Sequence, residues 1–225
     1  MLFYVILLLF ILNPVSSIVQ NEKDLINVLS GDEKEVVINL DSTIDISNDI
    51  IIYNSYEKLS IIGKSVDTSI LNFKDISGKL HFAQKVKEIE LKNISIIGNI
   101  YFDNNKIISI SSVSLTGNIN SNFDTDNEFI KIENFKYKSS AFQSVNCLDL
   151  SGNIEIKNSE FYGSSSCLNR LINFEGLEKY KLSIQDSYFS GEYSCLFINV
   201  NKGLNITING STFEKGFGNE EVEGG

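Results

Sequence analysis

The chain has no tryptophan, a single proline, one methionine, three cysteines and one histidine among its 225 residues. A lone histidine, His81, excludes most histidine-based metal centres and leaves a histidine-driven triad without support. Cationic residues are also scarce: 19 Lys and Arg stand against 29 Asp and Glu, for a net charge of −10. So acidic a surface repels phosphate backbones and has no basic stripe, which excludes nucleic acid as a partner. The one proline, Pro14, lies near the amino terminus. Turns elsewhere must therefore come from Asn, Gly and Ser, which tolerate left-handed backbone and keep an amide donor for a strand ladder. What is present is a hydrophobic content of 42%, enough to fill a core and too much for global disorder.

The first apolar feature is an unbroken run from Leu2 to Leu12, LFYVILLLFIL. It is too short to span a bilayer of about 30 Å. Asn13-Pro14 follows, and then Val15-Ser16-Ser17, small residues at the positions that precede a signal-peptidase cut. The expectation is a signal peptide over 1–17, removed before Ile18, although its n-region lacks Lys and Arg. The mature chain, 18–225, is then a single secreted domain without a transmembrane segment, either extracellular or at the cell surface. Asn93-Ile94-Ser95, Asn205-Ile206-Thr207 and Asn209-Gly210-Ser211 are glycosylation sequons compatible with that route. In a chain this rich in Asn and Ser they also arise by chance.

Asn21 to Gly31 carries the one helix pattern. Asn21 stands as N-cap with Asp24 three residues on, Leu25, Val28 and Leu29 share a face, and Gly31 sits where a helix ends. Beyond it helical periodicity disappears. Val36, Ile38 and Leu40 alternate, as do the pairs Ile44/Ile46, Ile50/Ile52, Leu59/Ile61, Ile89/Leu91, Ile108/Ile110 and Ile130/Ile132. These are short strands.

The last third repeats itself: NIEIKNSEFYG from Asn153, KLSIQDSYFSG from Lys181 and NITINGSTFEKG from Asn205. Aligned on Phe161, Phe189 and Phe213, the units are 28 and then 24 residues apart, the period range of solenoids and propellers. The three Phe side chains are expected to stack inside. Cys147, Cys167 and Cys195 recur at what reads as one phase of successive units. Coils about 4.8 Å apart would allow one bridge and one free thiol. A ladder of free thiols is favoured over that bridge, because stacked side chains point in parallel rather than at each other.

The helix, the stretch Val36 to Phe73 with Leu59-Ser60-Ile61-Ile62-Gly63, and the I-x-I-x-x-S-x-F-x-G units together resemble right-handed parallel β-helix proteins of the pectin-lyase-like type. They are also similar to the repeats of chlamydial polymorphic outer-membrane proteins. The resemblance implies an all-β solenoid, with the helix at about 21–31 capping the first coil and coils over about 36–225. A leucine-rich-repeat solenoid is the alternative, suggested by Leu177-x-x-Tyr180-x-Leu182-x-Ile184. No comparable cap is legible at the far end, so the expectation is a chain truncated within its repeat array.

The chemistry that the resemblance implies is mostly missing. His81 has no flanking Gly, the only arginine, Arg170, begins no Arg-x-Lys, and Asn122-Phe123-Asp124 departs from the hydrolases' Asn-Thr-Asp. No catalytic residues and no confident cofactor are assigned. Asp124, Asp126 and Glu128 alternate and form a weak calcium candidate, with a solvated acidic loop as the plainer reading, and Glu220, Glu221 and Glu223 read the same way. Tyr162, Tyr188 and Tyr193 neighbour the Phe row and offer a contact strip for a glycan or a cell-surface protein. The expected function is a structural, adhesive or binding solenoid. The alternative is a carbohydrate-active enzyme, a polysaccharide lyase or glycoside hydrolase.

Overall fold

A computed structural model describes residues 14–125, 128–140 and 144–217. In these residues the chain is a right-handed parallel β-solenoid of about 8 turns. Three sheets run its length, visited in a fixed order: sheet 1 has nine strands, sheet 2 eight and sheet 3 seven. Every strand pairing is parallel. The described helical structure is confined to Glu22–Leu29, so the leucine-rich-repeat alternative is not favoured.

The alternating aliphatic beats occupy one pair of positions repeated coil after coil. Val36, Leu59, Ile89, Ile108, Ile130, Ile154, Leu182 and Ile206 are register partners in sheet 1. Two residues on, Ile38, Ile61, Leu91, Ile110, Ile132, Ile156, Ile184 and Ile208 form a second column. Strand alternation turns both columns inward, and all but the last member of each is buried. Full burial of one such side chain is worth about 1.5–3 kcal/mol, and the columns repeat that gain at each turn.

Sheet 2 contributes an inward column that changes character: Leu71, Ile96 and Leu115 give way to Tyr137, Phe161, Phe189 and Phe213. Phe161 and Phe189 stack at 4.6 Å, and Phe189 and Phe213 at 4.7 Å, with the rings nearly parallel in both pairs. The internal Phe stack expected from the repeat is therefore present.

Between sheets 1 and 2 the six coils from Val86 onward each turn through one residue in left-handed conformation: Asn93, Ser112, Asn134, Asn158, Asp186 and Gly210, with φ from 48° to 63°. The amides of the first five donate to a carbonyl of the next coil, such as Asn158 N–H to Gln185 O at 3.2 Å. Asn and Asp tolerate this geometry better than other non-glycine residues. That is how a chain almost without proline turns its corners and keeps its ladder donors.

The helix covers the first coil as the sequence implies. Asn21 Oδ1 accepts the Asp24 amide at 3.0 Å, and Leu25 and Leu29 are buried against the core. Tyr56 anchors the far end by donating to Leu29 O at 2.9 Å. Gly31 does not form a left-handed stop, because the helix closes at Ser30 in right-handed conformation. Val15–Val19 forms an edge strand beside Glu35–Leu40. A cut before Ile18 removes three exposed or half-buried residues of that strand and keeps its one buried residue, Val19.

At the other end the inward residues Ile206, Ile208 and Phe213 are exposed, and no described residue covers them. Residues 218–225, with Glu220, Glu221 and Glu223, lie outside the described residues.

The cysteines correct an expectation. Cys147 and Cys167 are bridged, with a Cα–Cα separation of 5.2 Å, and Cys195 is free and buried. A ladder of three free thiols assumed one shared register. Cys167 instead pairs with Ser144, and the register slips between Ser144 and Asn146. The two cysteines are thus offset along their strands, so their side chains meet across the coils and do not run in parallel.

Candidate ligand-binding face

Sheet 3 places one outward side chain per coil at a single register position. Its strands read inward–outward–inward, as in Leu80-His81-Phe82, Leu148-Asp149-Leu150, Ile172-Asn173-Phe174 and Ile198-Asn199-Val200. Burial of the flanking aliphatics and phenylalanines forces the middle residue out in all but the last triplet, where Val200 is exposed at the uncovered end. The resulting row is Ile51, His81, Tyr101, Asn120, Asp149, Asn173 and Asn199.

The polar part of the row is internally bonded. Asn199 Nδ2 donates to Asn173 Oδ1 at 2.8 Å, and Asn173 Nδ2 to Asp149 Oδ1 at 3.0 Å. Asn146 Nδ2 reaches the same Asp149 oxygen at 2.8 Å. Beside the row, Asn201 Nδ2 donates to Glu175 Oε2 at 2.6 Å. Such chains fix the amide orientations and leave a half-buried strip of preset donors and acceptors.

At the other end of the face, His81 Nε2 lies 2.5 Å from Asp103 Oδ2. The imidazole tilts against Tyr101, with ring centres 5.9 Å apart. Lys79 Nζ stands 5.7 Å above the Tyr101 ring and 3.4 Å from Asp49 Oδ2. Asp49 lies between two open grooves of about 430 and 330 Å³, one lined by Ser47, Asp75 and Ser77 and the other by Ile26, Ile51 and Tyr53.

The other residues singled out by sequence fall in four places. Tyr162 and Tyr188 project from the outer face of sheet 2, with ring centres 5.7 Å apart. Burial first, and then the neighbouring Glu160, raises the Tyr162 phenol above its ordinary value, while the hydrogen bond to Glu214 does so for Tyr188. Asn205 and Asn209 are exposed on the last strand of sheet 1. Asn93 is a half-buried left-handed corner, and its sequon hydroxyl, Ser95, donates to Val66 O at 2.5 Å. Cys195 is buried just before the strand Leu196–Asn201, against Gly163, and burial pushes its thiol up to about 11.

The acidic triplet does not assemble as a metal site. Asp126 lies outside the described residues. Asp124 is exposed and its carbonyl accepts from Lys179 Nζ at 2.8 Å, while Glu128 is buried and its carboxylate takes hydroxyl hydrogen bonds from Thr125 and Tyr180. Among the described residues no group of three or more His, Cys, Asp or Glu is placed to hold a metal ion.

The Asn and Asp row of sheet 3 was missed in the sequence. Its signal is the single polar residue between two inward apolar ones, but coils of 19 to 30 residues keep those triplets from aligning at any fixed period.

Fold and face together define a parallel β-solenoid with a polar, one-residue-per-coil outer strip. The chain matches no family model, no curated protein and no solved structure. No helix among the described residues is long and apolar enough to cross a membrane.

Proposed function

We propose that the chain is a secreted or cell-surface solenoid that binds neutral glycans along the outer face of sheet 3, in an adhesive or structural role. The observation that carries this reading is the row Asn120, Asp149, Asn173 and Asn199, in register on four successive coils. Coil stacking repeats these groups about every 4.8 Å, a periodic set of amides and a carboxylate suited to the hydroxyls of an extended polymer. Stacked repeats offer long flat faces for such partners and need no catalytic centre.

Two further observations favour the secreted setting. One is the Leu2–Leu12 run followed by small residues. The other is the Cys147–Cys167 bridge, because disulfides persist in oxidising compartments. The charge of −10 disfavours polyuronates and sulfated chains, which leaves neutral sugars. The calcium version of the carbohydrate-active-enzyme alternative draws on Asp124, Asp126 or Glu128, and the Glu128 carboxylate, engaged by the Thr125 and Tyr180 hydroxyls, lends it nothing.

The test is a binding screen of the secreted chain against neutral and uronate oligosaccharides, with Asn173→Ala and Asn199→Ala as site variants. Ser183→Ala, on the outer face of sheet 1, is the control. Each asparagine change is expected to weaken binding by about tenfold, the loss of one or two partly buried hydrogen bonds. Equal loss in the sheet 1 control, or no binding to any neutral sugar, would refute the assignment.

A further inference from the structure

The carboxyl-terminal part of the sheet 3 face is bracketed by two turns with the same construction. Gly176-Leu177-Glu178-Lys179-Tyr180 leaves the strand Cys167–Glu175, and Gly191-Glu192-Tyr193-Ser194-Cys195 enters the strand Leu196–Asn201. In both, two consecutive non-glycine residues are left-handed: Leu177 and Glu178 at φ 48° and 61°, and Glu192 and Tyr193 at φ 48° and 55°. Turns of this shape ordinarily use Asn-Gly or Gly-Gly. A tyrosine there pays a steric cost that glycine would not.

The second turn is held from several sides. Tyr193 N–H donates to Lys215 O at 2.7 Å, and the Ser194 and Cys195 amides donate to Gly191 O at 2.9 and 3.2 Å. Ser190 Oγ donates to Glu192 Oε1 at 2.7 Å, and Lys215 Nζ lies 3.6 Å from the same oxygen. Gly191 admits no side chain, since a Cβ would stand 2.5 Å from Cys195 O. Yet the Tyr193 side chain takes no part in this packing: at 70% it is the most exposed large hydrophobic residue described. The turn spends conformational energy to hold out a ring that stabilises nothing beneath it.

We infer that Tyr193 is the stacking residue of a saccharide subsite at this end of the face, its ring receiving the C–H face of a neutral pyranose. The inference rests on the glycan-binding reading and adds a specific contact to it. With its backbone held by the turn, Tyr193 has only its two side-chain torsions to lose on binding, a low cost that suits aromatic anchors in recognition sites. Carboxylates on this part of the face, Glu192 on the turn, Asp149 in the row and Glu175 beside it, accept hydrogen bonds from hydroxyls and repel acidic sugars.

The experiment measures binding of cellohexaose, laminarihexaose, chitohexaose and hexagalacturonate by calorimetry, with the melting temperature of each variant. The variants are Tyr193→Ala, Tyr193→Gly, Tyr193→Trp and, as an exposed apolar residue on the outer face of sheet 1, Ile107→Ala. For a neutral hexasaccharide that the wild type binds, Tyr193→Ala and Tyr193→Gly are expected to lose about tenfold or more, as for a central anchor. Tyr193→Trp and Ile107→Ala keep the wild-type affinity. Tyr193→Gly melts at or above the wild-type temperature because its backbone is relaxed, so its lost binding is not unfolding. Neutral-sugar binding unchanged by Tyr193→Ala overturns the subsite and leaves the face standing. Binding of hexagalacturonate alone, or of no sugar, overturns both.

Discussion

Ser187 does the work of two strands at one corner. Its hydroxyl accepts the Ser159 amide at 3.2 Å and donates to Gln185 O at 2.8 Å, while its own amide donates to Ser211 Oγ at 3.1 Å. Ser159 accepts the Phe135 amide in the same way at 3.1 Å. The serine two residues before each Phe of the repeat is thus a hydroxyl ladder that joins coils where the sheets break. Ser187→Ala strands the buried Ser159 amide, at an expected cost of about 1–3 kcal/mol, read from urea denaturation. Tyr137 is the opposite case, a fully buried phenol whose hydroxyl has no hydrogen-bond partner among the described residues. Burial drives its pKa well up. Tyr137→Phe removes that unpaired group, keeps the ring in the aromatic column, and is expected to raise stability by about 1–3 kcal/mol. A lower melting temperature would show that the hydroxyl does have a partner.

At the scale of strands, the sequence was most readable where the repeat contains two inward residues. Ile108/Ile110 and Ile130/Ile132 announce sheet 1 because alternation needs a pair to be visible. Strands such as Ser95–Ile97, Ser114–Thr116 and Lys136–Lys138 have one inward residue each, and one residue has no period. Most strands of sheet 2 could therefore not be separated from loops, Ile44/Ile46 apart, and the inward pairs of sheet 3 were read as a strand only at Ile50/Ile52 because unequal coil lengths hide their recurrence. The helix was legible through Asn21 and Asp24, whose capping contacts depend only on local chain geometry. The bridge was not, because equal phase was inferred from residue counts while unequal corners and a register slip displaced Cys167 relative to Cys147. Thiol titration of the denatured, unreduced protein should find one free thiol, Cys195, and three would refute the bridge. Replacing Cys147 and Cys167 together by serine is expected to cost about 2–5 kcal/mol, seen as a lower denaturation midpoint.

For the whole molecule, the outward side chains of sheet 1 form ion pairs between and along strands. Lys58 meets Glu90 at 3.2 Å, Lys87 meets Glu57 at 2.7 Å and Lys131 meets Glu133 at 2.8 Å. Burial opposes ionisation of Glu90, but hydrogen bonds from Lys58 and Ser60 prevail and hold its carboxyl below the ordinary 4.5. Glu57 and Glu133 are lowered by their lysines. A carboxyl lowered in the folded state contributes stability above its unfolded pKa and loses it as pH falls through the folded value. The melting temperature is therefore expected to fall as pH drops below about 4.5, and to fall less steeply in Glu90→Gln. An identical acid slope in that variant would contradict the pairing.

The same scale sets the test of the central claim, that a periodic strip on one face of this solenoid recognises a neutral polymer. Calorimetric titration of the folded, disulfide-bonded chain with neutral and uronate oligosaccharides of increasing length tests it most directly. The account predicts that a neutral series gains affinity with each added sugar over several coils, loses it in Asn173→Ala and Asn199→Ala, and has no acidic counterpart. Affinity independent of length, preference for the uronate series, or insensitivity to both asparagines would contradict it.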